Sequence, residues 1–368
     1  MSEPNCKYFG KCGGCSAQHV DYDWQLKNKK KQVFHAIRYD DIQVFSDVDY
    51  EYRNRMDLIF HKNGLGFRQK GSWWKIIDID ECLISNKKPN ELLSELREHF
   101  KIVDSFDLKK QYGTYKYALI RTPNENCSIS FALNEDSPRL KDAVEKIKEF
   151  AKITTADNVV VTYIPKKVDH STSPNYFSVK GDELLYEHFL EHKFYYHVQG
   201  FFQNNSKMAE SMLKYTKDVL SKYDTKDYEL LDLYGGVGTF GILNAKNFKE
   251  VTIIESLDQS IDCANKNIVE NKINNAKAQV LDVKQLKKLK FGEKLFVITD
   301  PPRSGMHKDA ITQLKALNPE VIIYVSCNAQ QLKKDILKFS NYEIKSVGMF
   351  DLFPQTPHVE TVVELVRK

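Results

Sequence analysis

Between Glu229 and Ser326 the chain repeats one pattern: a short apolar run, a stretch of helical periodicity, then another apolar run. The runs are ELLDL (229–233), VTIIE (251–255), AKAQVL (276–281), KLFVITD (294–300) and EVIIYVS (320–326). Strands buried on both faces read as unbroken aliphatic stretches, and helices between them impose parallel pairing through right-handed crossovers. The pattern predicts a doubly wound α/β domain. Two last strands, about 342–350 and 360–366, have no helix between them and should form an antiparallel pair. Sheets of this kind bind ligands beyond the carboxyl ends of their strands, so the residues that follow each run come first.

The first run leads into DLYGGVGTFG (232–241), whose glycines allow a tight turn and close approach to a ligand. Glu255 ends the second strand, where a carboxylate typically chelates ribose hydroxyls. GGVG offers no pyrophosphate seat, so S-adenosylmethionine fits better than a dinucleotide. Asp282, after the third strand, either reaches an adenine amino group or caps a helix. Asp300 ends the fourth strand, where substrate and cofactor should meet. Amine methyltransferases often carry an aromatic residue after such a DPP turn. Arg303 stands there instead, which demotes amine methylation.

Cys327 follows the fifth strand, and HVE (358–360) precedes the last. Carbon-5 of uracil is a poor nucleophile until a thiolate adds to the neighbouring ring carbon, after which it can take a methyl group. A base must then remove the carbon-5 proton. Such chemistry asks for a low-pKa cysteine, Cys327, and a base, Glu360 or its neighbour His358. The alternative for Cys327 is a buried strand-end thiol.

Cys6, Cys12 and Cys15 lie within fifteen residues, and Cys82 is the best fourth partner. Close spacing in a cytosolic protein argues for metal over disulfides, and four thiolates suit zinc or a [4Fe–4S] cluster equally. Cys127 and Cys263 read as inert core thiols. From 49 to 198 short alternating stretches with two helices, about 90–101 and 139–152, predict an α+β domain. Arg53 and Arg55 share a strand face and could meet phosphates; a solvated face is the other reading. The texture changes at Gly200, and Met208, Met212, Tyr215 and Val219 form the core stripe of the next helix. The expected divisions are 1–48, a cysteine segment and helix; 49–198, an RNA-binding domain; and 199–368, the catalytic domain. A net charge of +4 over 368 residues does not by itself announce nucleic acid. No apolar run approaches the roughly 18 residues of a membrane span, and a cytoplasmic location is expected.

Together these residues resemble the S-adenosylmethionine-dependent RNA uracil-5-methyltransferases: the cysteine opening with Cys82, FFQNN (201–205), DLYGGVGTF, DPPRSG (300–305), VSCN and HVE. The resemblance spans nearly the whole chain. It implies a Rossmann-like class I methyltransferase domain, with Cys327 as nucleophile and Glu360 as proton acceptor. It further implies that Gln203, Tyr234, Glu255 and Asp300 contact S-adenosylmethionine and that Phe201 lies near a flipped uracil. In cluster-bearing members four cysteines hold [4Fe–4S], which would assign Cys6, Cys12, Cys15 and Cys82 to iron–sulfur, with zinc second. Many relatives begin with an RNA-binding barrel, whereas this sequence begins with the cysteines. Ribosomal RNA is therefore the first expectation for the substrate and transfer RNA the second. Thr239 stands where relatives often have Asn and is left out of the ligand set. Cytosine-5 methylation and a non-catalytic iron–sulfur RNA-binding protein are the remaining alternatives. Nothing in the sequence calls for an obligate protein partner.

Overall fold

The computed structural model describes residues 2–368. A cysteine-bearing loop leads to helix α1 (Tyr22–Ile37) and strand β1 (Ile42–Phe45). A central unit follows: β2 (Arg55–His61), β3 (Gly64–Arg68), β4 (Ile76–Asp78), α2 (Lys87–His99), β5 (Tyr115–Arg121), β6 (Ser128–Asn134), α3 (Leu140–Ile153), β7 (Asn158–Ile164) and β8 (Tyr176–Lys180). A hairpin, β9 (Leu184–Phe189) and β10 (His192–His197), precedes the last unit. That unit runs α4 (Ser206–Leu220), β11 (Glu229–Leu233), α5 (Thr239–Asn244), β12 (Glu250–Glu255), α6 (Asp258–Glu270), β13 (Ala276–Val280), β14 (Leu295–Thr299), α7 (Lys308–Leu317), β15 (Val321–Ser326), α8 (Ala329–Ile336), β16 (Tyr342–Phe350) and β17 (Glu360–Arg367).

The larger sheet has the order β1-β16-β17-β15-β14-β11-β12-β13, and β17 alone runs against its neighbours. The chain winds outward from β11 through β12 to β13, then returns on the other side with β14. This reversal puts a crevice beyond the carboxyl ends of β11 and β14, where Tyr234 and Asp300 stand. Because β17 is antiparallel, its first residue, Glu360, emerges at the same sheet edge as the ends of β14 and β15. Helix α4 buries Met208, Met212, Tyr215 and Val219, as the sequence predicts, each stabilising by roughly 1.5–3 kcal/mol relative to exposure.

The central sheet has the order β4-β3-β2-β5-β6-β7-β8. It is antiparallel except for β6 and β7, which α3 joins as a parallel crossover. Leu92, Leu93 and Leu96 of α2 and Ile147 and Phe150 of α3 pack with the sheet in one core.

Two segments lie elsewhere than the sequence divisions place them. Residues 42–45 pair in parallel with β16, and α1 packs against α8, so the stretch 22–45 is part of the catalytic unit. Hairpin β9–β10 buries Leu185, Phe189, Phe194 and Tyr196 in the core that α4 and the large sheet share. A four-residue edge strand is too short to declare its partner, and the break in texture at Gly200 marks composition rather than burial.

Candidate active site

The cofactor turn begins with Tyr234, whose backbone is left-handed at φ 58°, and ends with Gly238 at φ 86° as the N-cap of α5. A residue with a Cβ is strained at the second of these. Asp232 lies wholly buried beneath the turn and accepts the Gly241 N–H at 2.8 Å. Its other oxygen has no partner, and burial pushes the carboxyl up to about 7. Gly236 faces open space.

One cavity of about 650 Å³ opens over this edge, lined by Phe201, Gln203, Tyr234, Glu255, Asp300, Cys327, His358 and Glu360. A second, of about 560 Å³, shares Tyr234 and Glu255 and adds Asp282 and His307. Both lie in the size range of small-molecule sites. Every residue expected to bind the cofactor or react thus borders one space. Asp282 accepts the Lys284 N–H at 2.9 Å as an N-cap and also borders the second cavity. Thr239 borders a small recess behind Phe201 and Gln203. Phe201 is 71% exposed, which leaves its ring available to stack on an incoming base.

The groups expected to react are largely withdrawn from water. Burial pushes the Cys327 thiol up to about 11, and the Glu360 and Asp300 carboxylates add to the rise while Arg303 opposes it. The expectation of a low-pKa cysteine is corrected: burial disfavours the thiolate, and the two acids beside it add more than one guanidinium offsets. Burial, then Asp300, raises Glu360 well above the usual carboxylate range, and burial raises Asp300 to about 7. His358 is half-buried, with Nδ1 3.5 Å from the Arg303 guanidinium; burial, then that charge, lowers its pKa. Glu360 therefore attracts a proton more strongly than an ordinary carboxylate, and His358 less strongly than an ordinary imidazole.

Sequence reasoning missed the groups that hold the loops. Asp335, buried on α8, accepts from the Tyr324 hydroxyl at 2.7 Å and the Met306 N–H at 3.0 Å, pinning the DPPRSG turn to the sheet. Loop 351–358 is clamped by α1. Lys29 Nζ lies 2.6 Å from Asp351 and 3.0 Å from the Phe353 carbonyl, while Gln25 exchanges two hydrogen bonds with Gln355. The spacing of Gln25 and Lys29 on the helix face that carries Val33 and Ala36 was the available signal. Asn54 of the central unit donates its backbone N–H to the Asn204 carbonyl at 2.9 Å, tying that unit to the cofactor segment.

Cys6, Cys12, Cys15 and Cys82 border a separate cavity of about 490 Å³ together with Arg53, Arg68 and His170. Burial raises the thiols of Cys6, Cys12 and Cys15, Cys15 to about 12, and mutual repulsion adds to it. Among the described residues, no group of three or more His, Cys, Asp or Glu is arranged to hold one metal ion. The thiols share a cavity without converging on a point.

A family model described as tRNA (Uracil-5-)-methyltransferase matches residues 21–368. The chain belongs to this family. It is 33% identical over 367 residues to the tRNA (uracil(54)-C(5))-methyltransferase of Pyrococcus abyssi, covering 99% of this chain and 86% of the relative. The enzyme of the same description from Pyrococcus horikoshii is 34% identical, with 98% and 85% covered. The crystal structure of the Pyrococcus abyssi enzyme in complex with S-adenosyl-L-homocysteine superposes with a TM-score of 0.81 at 31% identity, over 96% of this chain and 86% of that one. This family member is an S-adenosylmethionine-dependent RNA (uracil-5-)-methyltransferase with a Rossmann-like catalytic fold. No helix among the described residues is long and apolar enough to cross a membrane.

Proposed function

We propose that this methyltransferase acts on one uridine in the T loop of transfer RNA, through a covalent adduct between Cys327 and the base. The single observation that carries the mechanism is the shared cavity: Cys327, Asp300 and Glu360 border the same space as Gln203, Tyr234 and Glu255. Two relatives described as tRNA (uracil(54)-C(5))-methyltransferases favour transfer RNA over the ribosomal RNA first expected.

Bound S-adenosylmethionine supplies an electrophilic methyl group on a sulfonium; Gln203, Tyr234, Glu255 and Asp300 would hold it. A loop uridine leaves its stack and enters beside Phe201. The Cys327 thiol gives up its proton to solvent and its sulfur bonds to carbon-6, next to carbon-5, which makes carbon-5 enolate-like. Carbon-5 takes the methyl group as the methyl–sulfonium bond breaks to leave S-adenosylhomocysteine, Glu360 accepts the carbon-5 proton, and the bond between carbon-6 and the Cys327 sulfur breaks to release Cys327 and methylated uridine. Burial that raises the affinity of Glu360 for a proton suits it to that acceptance.

A transfer RNA transcript carrying 5-fluorouridine should trap a denaturation-stable protein–RNA adduct with the wild type and none with Cys327→Ala. Glu360→Gln should accumulate a stalled adduct with ordinary RNA. Absence of any trapped adduct from wild-type protein, with a transcript it methylates, sinks the mechanism. Methyluridine mapped to ribosomal RNA alone sinks the transfer RNA reading.

We further propose that Cys6, Cys12, Cys15 and Cys82, four thiol donors lining one cavity, hold a [4Fe–4S] cluster, the ligand set such clusters take. Iron and sulfide assays on anaerobically purified protein check this, and stoichiometric zinc without iron would overturn it.

A further inference from the structure

The basic residues of the central sheet are already engaged. Arg55 forms a bidentate pair with Asp57 at 2.7 and 2.8 Å. Lys116 is buried and donates to the Val168 carbonyl at 2.6 Å, and Arg121 is buried and donates to the Gly200 carbonyl. These cations brace the fold, so the RNA that the proposed function requires must find affinity elsewhere.

Tryptophan is normally among the most buried side chains by area. This chain has three, and all are exposed: Trp24 by 57%, Trp73 by 61% and Trp74 by 41%. Trp24 lies on α1 with Lys27 Nζ 4.9 Å from its ring centroid. Trp73 and Trp74 are adjacent in the turn between β3 and β4, and that turn is pinned. Gln69 donates to the Lys75 carbonyl at 2.8 Å, and Ser72 to the Gln69 carbonyl at 3.0 Å. Arg68, itself paired with Asp169, donates to the Trp73 carbonyl. The cysteine loop braces the same turn from below, with Lys70 donating to the Lys11 carbonyl at 2.8 Å and Gly13 to the Arg68 carbonyl at 2.9 Å. Two large apolar rings are thus presented to water on a turn that is held in shape.

Charge surrounds them. Lys109 Nζ lies 3.3 Å from the Trp74 ring centroid and Lys75 Nζ 5.2 Å from it. Lys70, Lys75, Lys109 and Lys110 form no ion pair among the described residues, whereas the nearby carboxylates of Asp78 and Asp169 are taken up by Arg97 and Arg68. Asp107, the remaining acid beside Lys109 and Lys110, accepts their backbone N–H groups at 2.9 and 3.0 Å. Exposed indoles among unpaired lysines combine a stacking surface with phosphate attraction, the pairing that single-stranded nucleic acid uses. A protein partner would instead call for a larger apolar patch with fewer cations.

We propose that Trp73 and Trp74, with Lys75 and Lys109, form a stacking platform for unpaired nucleobases of the substrate RNA, separate from the reaction cavity. The inference rests on RNA being the substrate and adds a second place of contact. In Trp24→Phe protein every tryptophan photon comes from Trp73 and Trp74. Titrating that full-length variant with a twelve-nucleotide oligouridine, and with an unmodified transfer RNA transcript, should quench its emission.

Trp73→Ala/Trp74→Ala should raise the Kd for the transcript about tenfold, equivalent to about 1.4 kcal/mol. Trp73→Phe/Trp74→Phe should stay within about threefold of wild type, because a smaller ring still stacks. Lys109→Ala/Lys110→Ala should flatten the salt dependence of Kd by about one to two in log–log slope. Unchanged emission while fluorescence anisotropy shows the labelled RNA bound overturns the platform. So does a phenylalanine pair as damaging as the alanine pair. Quenching by RNA with no methyl transfer and no 5-fluorouridine adduct would leave the platform standing and remove the catalytic reading instead.

Discussion

Lys29→Met is the most informative single perturbation of the catalytic unit. Lys29 is 3% exposed and Asp351 is fully buried, with Nζ and Oδ1 2.6 Å apart. At an effective dielectric of about 20 their attraction is roughly 6 kcal/mol, most of it offset by desolvation of both ions. Methionine has nearly the same length but no charge. It would leave the Asp351 carboxylate buried with the Tyr22 hydroxyl, at 2.9 Å, as its remaining side-chain donor, and the Phe353 carbonyl without its lysine. Breaking a buried pair in this way costs about 3–5 kcal/mol. For a cooperative unit of about 200 residues the melting temperature should fall by about 6–20 °C. Thermal and urea unfolding of wild type, Lys29→Met, Asp351→Leu and the double variant form a closed cycle. The double variant should recover most of the loss, since no lone charge remains. A single-variant loss below about 1 kcal/mol, or a double variant no better than Lys29→Met, would refute the reasoning. Because Phe353 and His358 border the reaction cavity, the same substitution should also lower kcat at temperatures where the variant is folded.

Three further outcomes follow from the site. Asp232 has a folded pKa raised to about 7, so the native state holds a proton that the unfolded chain releases near 4, and its contribution to stability falls as pH rises through that window. Asp232→Asn keeps an acceptor for Gly241 and should flatten the fall by up to about 4 kcal/mol between pH 4 and 7, measured by urea unfolding; an unchanged slope would dismiss the assignment. With Cys327 raised to about 11, adduct formation on 5-fluorouridine RNA should accelerate with pH between 6 and 9, approaching tenfold per unit, and Arg303→Met should move the profile further alkaline; a flat profile contradicts the buried-thiol account. Gly305 has φ 82°, and a Cβ there would stand 2.4 Å from the Asp335 carboxylate, so Gly305→Ala should cost more than about 1 kcal/mol and lower kcat, tested by unfolding and steady-state assays; wild-type behaviour would show that the turn tolerates displacement.

The large sheet was legible because burial on both faces leaves unbroken aliphatic runs, which local sequence cannot conceal. The grouping of the candidate site residues was legible for a related reason: strand ends in a doubly wound sheet converge, so Asp300, Cys327 and Glu360 could be placed beside one cavity without coordinates. The membership of β1 and of hairpin β9–β10 was not legible, since short strands carry no mark of the partner they pair or pack with. Arg53 and Arg55 looked available for phosphate, yet the fold engages Arg53 with the Arg55 carbonyl and Arg55 with Asp57.

The order of residues alone determined the fold class, the cofactor turn and the chemical types at the reaction edge, because each depends on local periodicity and on groups a few positions apart. Tertiary structure alone decided the proton affinities, raising rather than lowering the Cys327 thiol, because desolvation and neighbouring charge come from segments distant in the chain. It also decided which cations are spent on bracing and which tryptophans face water, since burial is a property of the assembled surface.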